Sequence, residues 1–135
     1  MIRYAEETDI LILSAHDKHI SKEELENSVQ LKRILVSFAG EVFVGWLRYN
    51  LFWDNTPFMN MLYVTDGLRG KGYGKELVIF WENEMRRKGY DRVLTSTLSN
   101  EQAQFFYRKL GYTDIGSFLL PDEPLEIIFL KETVG

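Results

Sequence analysis

The chain has 135 residues and room for one hydrophobic core, and its 16 basic against 20 acidic residues give a formal net charge of -4. An acidic balance argues against nonspecific binding to nucleic acid, and the lack of cysteine excludes disulfides, thiolate zinc sites and cysteine nucleophiles. The N-terminal residues have neither a basic leader nor a membrane-spanning apolar run, so we expect a soluble, cytoplasmic protein.

The first half of the chain predicts one or two helices followed by three strands. Ser21 and Glu24 have the spacing of a capping box, which predicts a helix that begins at Lys22. Short β-rich runs on either side of Gly40 are typical of a hairpin. In chain order, the expected elements are a helix or strand at residues 8–15, a helix from Lys22 into the low thirties, strands at 34–38 and 42–49, a loop at 54–57 and a strand at 58–64.

The second half predicts two helices and three strands. Apolar residues recur every four positions from Tyr73 to Met85, so one face of a helix there is apolar. Ser99 and Asn100 are N-cap candidates for the next helix, which Gly111 ends. The expected elements are a helix over 73–88, a strand at 92–98, a helix through Ala103, Phe106 and Leu110, and strands at 112–118 and 126–131. This order predicts one mixed α/β or α+β domain over residues 1–135.

The most informative segment is the loop between the strand that ends at Val64 and the following helix. Glycines at alternate positions let backbone amides at a helix N-terminus approach an anion such as a pyrophosphate, which the helix dipole also favours. The spacing fits neither a Walker A loop nor a dinucleotide-binding fingerprint. The loop contains three glycines and three cations: Gly70, Gly72 and Gly74, with Arg69, Lys71 and Lys75.

Two motifs resemble those of the GNAT N-acetyltransferase superfamily. The run Arg69-x-x-Gly72-x-Gly74 matches the acyl-CoA loop of that family, Arg/Gln-x-x-Gly-x-Gly/Ala. Residues 100–112 resemble the later motif, Asn-x-x-Ala-x-x-x-Tyr-x-Lys-x-Gly-Phe/Tyr. The motifs occur in the family's order with matching secondary structure between them, so the chain is identified as a member, with a resemblance over about residues 34 to 131.

The resemblance implies a fold, a co-substrate and a reaction. It implies a mixed central sheet flanked by helices, with a splayed strand pair that holds acyl-CoA. It also implies transfer of acetyl from acetyl-CoA directly to an amine of a small-molecule or peptidyl acceptor, with no metal. The residues implied for acetyl-CoA are Leu62, Val64, Arg69, Gly70, Lys71, Gly72, Tyr73, Gly74, Lys75 and Asn100.

The sequence identifies the catalytic groups less completely than the residues that bind acetyl-CoA. The resemblance implies that Tyr107 donates a proton to the departing thiolate, and the alternative is packing in a core cluster with Phe105 and Phe106. The strand before the glycine loop carries no carboxylate that could act as a general base. Asp54, Glu123 and Glu126 are candidates, although solvated loop charge explains each of them better. A non-catalytic acyl-CoA-binding module therefore remains the alternative function.

The acceptor site is suggested by aromatic and charged residues on the central hairpin and its loop. They are Trp46, Arg48, Trp53, Asp54, Pro57 and Phe58, and core packing plus one exposed patch explains them equally well. We take Trp53, Asp54 and Glu123 as acceptor-binding candidates, and their acids favour a cationic amine. His16 and His19 lack a third ligand nearby and are interpreted as surface or loop residues. The expected partners are acetyl-CoA and the amine, without nucleic acid or membrane, and a homodimer is left open.

Overall fold

The structure, a computed structural model, describes residues 1–133. The strands form one mixed sheet in the order β1-β2-β3-β4-β5-β7-β6, in which β4 and β5 pair in parallel. A 3₁₀-helix at Glu7–Asp9 precedes the first α-helix. The elements are β1 (Ile2–Tyr4), α1 (Ile10–His16), α2 (Lys22–Gln30), β2 (Ile34–Ala39), β3 (Val42–Phe52), β4 (Thr56–Val64), α3 (Tyr73–Arg87), β5 (Arg92–Leu98), α4 (Ala103–Lys109), β6 (Thr113–Phe118) and β7 (Glu126–Glu132).

Contacts divide the chain into two compact units. The first unit is Met1–Asn50 with Met61–Trp81, and the second is Leu51–Asn60 with the chain from Glu82 onward. Strands β3 and β4 and helix α3 each contribute one part to the first unit and one part to the second.

The first unit is built around α1, α2 and the β2–β3 hairpin. The segment that fitted helix or strand folds as α1, and Ser21 accepts a hydrogen bond from the Glu24 amide at 3.2 Å, which confirms the predicted start of α2. Gly40 turns the hairpin with φ +63°. The buried core of these elements includes Leu13, Leu25, Val29, Ile34, Val36 and Trp46.

The second unit is built around β5, β7 and β6, which pair antiparallel. Helix α4 packs on β5, and Tyr107 of α4 has its ring 6.2 Å from that of Phe129 on β7. Glu82 near the end of α3 accepts hydrogen bonds from the Tyr112 hydroxyl at 2.7 Å and from Lys131 Nζ at 2.9 Å. These bonds fix the α3 C-terminal turns to the sheet of this unit.

Four of the element predictions need correction. Strand β3 ends at Phe52, three residues beyond its predicted end. The first strand, β1, was not predicted because its three residues are too short to give a periodic pattern. Strand β4 begins at Thr56, within the predicted loop.

The prediction of Ser99 and Asn100 as N-cap residues is wrong. Helix α4 begins at Ala103, because residues 99–102 form a turn in which Gln104 Nε2 donates to the carbonyls of Ser99 and Glu101. Within residues 1–133 no helix has both the length and the apolar composition that crossing a bilayer requires.

Candidate active site

The glycine loop of the first unit ends at the N-terminus of α3. Gly70 and Gly72 have φ of +77° and +91°, a backbone conformation that glycine adopts without strain. The Gly72 carbonyl accepts the amide of Glu76 at 3.0 Å, so the helical ladder starts at Gly72. A Cβ built on either glycine would have no atom within 4 Å. The loop therefore has open space beside it.

The first turn of α3 presents amides that have no acceptor within the helix, as at every helix N-terminus. They belong to Tyr73, Gly74 and Lys75, and the side chains of Lys71 and Lys75 are exposed beside them. Free amides, the positive end of a fifteen-residue helix dipole and two exposed ammonium groups together suit a pyrophosphate-sized anion.

Arg69 connects the loop to the end of β4. Its Nε donates to the Val64 carbonyl at 2.8 Å, and its guanidinium lies 5.0 Å from the ring centroid of Tyr63. Asp66 lies 3.4 Å from the same guanidinium, so part of its charge is balanced locally. Arg69 thus holds the loop against the strand as well as contributing a cation.

The end of β4 carries the other two predicted binding residues of this unit. Leu62 and Val64 are half-buried, and the Val64 carbonyl already accepts from Arg69, which leaves one of its two lone pairs for another donor. Neighbouring β3 approaches closely here, since a Cβ at Gly45 would overlap the carbonyl oxygen of Tyr63.

In the second unit, Tyr107 is 5% exposed and its hydroxyl is hydrogen-bonded to that of Thr95. The Thr95 hydroxyl in turn donates to the Met59 carbonyl at 3.0 Å. Burial raises the pKa of Tyr107 well above its ordinary value. The phenol is therefore protonated at neutral pH, as a proton donor must be.

The surroundings of Tyr107 correct part of the predicted cluster. Phe106 packs edge-on against Tyr107 with ring centroids 5.2 Å apart, but Phe105 is 56% exposed. Tyr112 supplies the second edge-on contact at 5.6 Å. Asn100 is exposed in the turn between β5 and α4.

Two hydroxyls of β5 were missed in the sequence analysis. Thr95 is 2% exposed and Thr97 is 7% exposed, and alternation along the strand puts both on one face. The Thr97 hydroxyl is buried without a hydrogen-bond partner. The signal available in the sequence was the Thr-Ser-Thr run inside the strand predicted at 92–98, to which we assigned no role.

The predicted acceptor residues separate into core and surface groups. Trp46 is 1% exposed, and Arg48 forms a buried ion pair with Asp17, with 3.0 Å between Nε and Oδ2. Both side chains are buried in the first unit, which favours core packing over an acceptor pocket for these two residues. The alternative, core plus one exposed patch, describes the hairpin residues better. His16 packs its ring 5.2 Å from that of Phe43.

The exposed residues at the β3–β4 turn border an open groove of about 380 Å³ in the second unit. Aromatic side chains line it, namely Phe52, Trp53, Phe58 and Phe118, and Arg92 is its cation. Trp53 and Asp54 form the β3–β4 turn with φ of +56° and +65°, which is unusual for a bulky tryptophan. Asp54 and Glu123 are exposed, and among the described residues no carboxylate lines the groove.

Comparison with solved structures finds the same fold. Ard1 from Thermoplasma volcanium aligns with a TM-score of 0.85 at 14% identity, over 100% of this chain and 98% of that one. The ribosomal-protein-S18-alanine N-acetyltransferase from Escherichia coli aligns with a TM-score of 0.80 at 15% identity, covering 98% and 93%. An aminoglycoside 6'-N-acetyltransferase complexed with coenzyme A aligns with a TM-score of 0.76 at 18% identity, covering 100% and 98%.

A search of curated protein sequences finds no significant match. The model of the Acetyltransferase (GNAT) family matches residues 4–112, a range that contains both the glycine loop and the Asn100 to Tyr112 segment. Because this match covers most of the chain, and the fold agrees with it, the chain belongs to the GNAT family of acetyltransferases.

Proposed function

We propose that this chain transfers the acetyl group of acetyl-CoA directly to an amine of a small-molecule or peptidyl acceptor. The observation that carries the proposal is the glycine loop at the N-terminus of α3, which combines left-handed glycines, open space, free amides and exposed cations. These features fit a CoA pyrophosphate, and CoA is bound in the similar aminoglycoside acetyltransferase structure.

In this proposal, residues of both motifs act on acetyl-CoA, which supplies an activated acyl thioester. Amides from Arg69 to Gly74 bind the pyrophosphate, while Lys71 and Lys75 add charge to the same region. The β4 backbone at Leu62 and Val64 holds the pantetheine and the thioester carbonyl, where the strand pair splays, and Asn100 contacts the same arm. Tyr107 gives its phenolic proton to the leaving sulfur.

The amine must arrive neutral, because an ammonium group has no lone pair with which to attack the thioester. Strand β4 carries no carboxylate, so no general base is assigned to the chain itself. The acceptor contacts proposed are Trp53, Asp54 and Glu123. The aromatic lining of the groove beside Trp53, with Arg92 as its cation, gives no support to a cationic acceptor in particular.

Relatives of similar fold are named for a ribosomal-protein alanine and for an aminoglycoside, which supports both peptidyl and small-molecule acceptors as classes. A cytoplasmic location, independence from metal ions and either a monomer or a homodimer complete the proposal. The second candidate is a non-catalytic acyl-CoA-binding module, which the lack of a carboxylate on β4 favours.

Two measurements on the purified protein test the proposal. Calorimetry with CoA tests binding, and steady-state release of CoA thiol with a panel of peptidyl, polyamine and aminoglycoside amines tests transfer. Binding together with amine-dependent thiol release is the expected result. Binding without turnover of any amine would favour the binding module, and the absence of CoA binding would overturn both candidates.

A further inference from the structure

Three buried side-chain polar atoms in the described part of the chain have no hydrogen-bond partner. Two are the indole N–H groups of Trp46 and Trp81, and the third is the hydroxyl of Thr97. Buried polar groups in folded proteins almost always have a partner, so each exception needs an explanation. The indoles belong to large rings that must be buried for packing, but no such reason applies to a threonine.

The strand position of Thr97 makes its hydroxyl unexpected. Valine has the same shape as threonine, fits a buried strand at least as well and buries no polar atom. Thr97 is opposite Ile127 of β7 and is 7% exposed, an environment that valine would suit. A buried hydroxyl at this position costs stability unless something hydrogen-bonds to it.

The face of β5 that carries Thr97 is the face of the proposed chemistry. Thr95 is two residues earlier, on the same face, and its hydroxyl bonds both Tyr107 and the Met59 carbonyl. Thr97 lies further along β5 in the direction of Asn100, about 7 Å beyond Thr95 for two residues of strand. One threonine is thus fully engaged by the protein, while the next is not.

We propose that the Thr97 hydroxyl forms a hydrogen bond with the pantetheine arm of acyl-CoA. Thr97 lies outside both family motifs. The arm is an aliphatic chain interrupted by amides, and a hydroxyl can donate to an amide carbonyl or accept from an amide N–H. A single buried hydroxyl with no partner in the protein can orient one amide of the arm. This inference rests on the proposed binding of acetyl-CoA.

Three variants separate a ligand contact from a structural hydroxyl. Thr97→Val removes the unpartnered hydroxyl, Thr97→Ser keeps it, and Thr95→Val removes a hydroxyl that the protein already uses. We expect Thr97→Val to leave the melting temperature of the unliganded protein unchanged or higher, whereas Thr95→Val lowers it. By calorimetry, Thr97→Val should weaken CoA binding roughly 3- to 10-fold, the effect of one net hydrogen bond, and Thr97→Ser should retain wild-type affinity.

A truncated ligand locates the effect. Adenosine 3',5'-bisphosphate has the nucleotide end of CoA but lacks the arm, so its affinity should be the same for wild type and Thr97→Val. Equal CoA affinity in wild type and Thr97→Val would overturn this inference and leave the proposed function intact. Loss of stability in Thr97→Val, or equal weakening toward both ligands, would assign a structural role instead and would also overturn it. If the wild-type protein binds no CoA, the proposed function itself fails.

Discussion

The phenol of Tyr107 combines two properties that a general acid needs: it is protonated at neutral pH, and a hydrogen bond fixes its position. A threonine hydroxyl has a single proton, and that of Thr95 goes to the Met59 carbonyl. Thr95 therefore accepts from Tyr107 in the unliganded protein. Proton transfer to a leaving sulfur requires the phenolic O–H to rotate away from Thr95.

Tyr107→Phe keeps the ring and removes the proton. If Tyr107 is the general acid, kcat should fall ~10²- to 10⁴-fold while CoA affinity changes little. Tyr112→Phe is the matched control, because its phenol is also buried but donates to Glu82, and this variant should lose stability with kcat nearly unchanged. A Tyr107→Phe enzyme within about twofold of wild-type kcat would leave this tyrosine a packing role alone.

At the scale of elements, the glycines determine the backbone conformation of the glycine loop and of the first turn of α3 that follows it. Gly72 closes the first turn of α3 in the left-handed region, where a side chain costs about 1–2 kcal/mol. Since nothing lies within 4 Å of its Cβ position, a substitution there adds charge and bulk to open space rather than to the core.

Gly72→Asp should abolish CoA binding measurable by calorimetry while the protein stays folded, because a carboxylate then occupies the anion site. Gly40→Asp is its control: Gly40 also has positive φ and open space, but it lies in the β2–β3 turn. Both variants should lose similar stability, and Gly40→Asp should bind CoA normally. Normal CoA binding by Gly72→Asp would refute the assignment of this loop.

The contact between β3 and the end of β4 depends on a different glycine. Gly45→Ala should destabilise the protein by about 3 kcal/mol, because its Cβ would overlap the rigid Tyr63 carbonyl rather than a movable side chain. Gly116→Ala on β6 has free space at its Cβ and should change the free energy of unfolding by less than about 0.5 kcal/mol. Chemical denaturation measures both, and equal stabilities of the two variants would contradict this account.

The sequence predicted most elements because their signals are local. Periodicity located α3, the Ser21 side chain located the start of α2, and β-rich runs located the β2–β3 hairpin. The roles of Arg48 and Thr97 could not be predicted in this way. Burial, the ion pair with Asp17 and the unpartnered hydroxyl all depend on residues distant in the chain, which no local pattern reports.

At the scale of the whole molecule, the net charge opposes an anionic ligand. The chain carries a formal charge of -4, so attraction of a CoA-like anion depends on the few cations near α3 and not on the overall field. Lys71 and Lys75 are both exposed, and salt screens exposed charges effectively.

A double variant, Lys71→Gln with Lys75→Gln, should therefore weaken CoA binding about tenfold at low ionic strength, and the difference from wild type should shrink as salt rises. Lys22→Gln changes an exposed lysine at the start of α2, outside both motifs, and should leave CoA affinity within error. Titrations at several salt concentrations provide the measurement. A deficit in the double variant that does not depend on salt would contradict an electrostatic role.

The exposure of Trp53 gives the protein a built-in optical reporter. Trp53 is 78% exposed beside the groove, whereas Trp46 and Trp81 are 1% and 0% exposed. Collisional quenching of intrinsic fluorescence by iodide should therefore act mainly on Trp53, and Trp53→Phe should remove most of the quenchable emission. If acceptors occupy the groove, a saturating amine should protect this emission from iodide in the wild-type protein. If a confirmed acceptor leaves iodide quenching unchanged, that amine binds elsewhere on the surface. Steady-state fluorescence of the unlabelled protein therefore distinguishes acceptors that bind in the groove from acceptors that bind outside it.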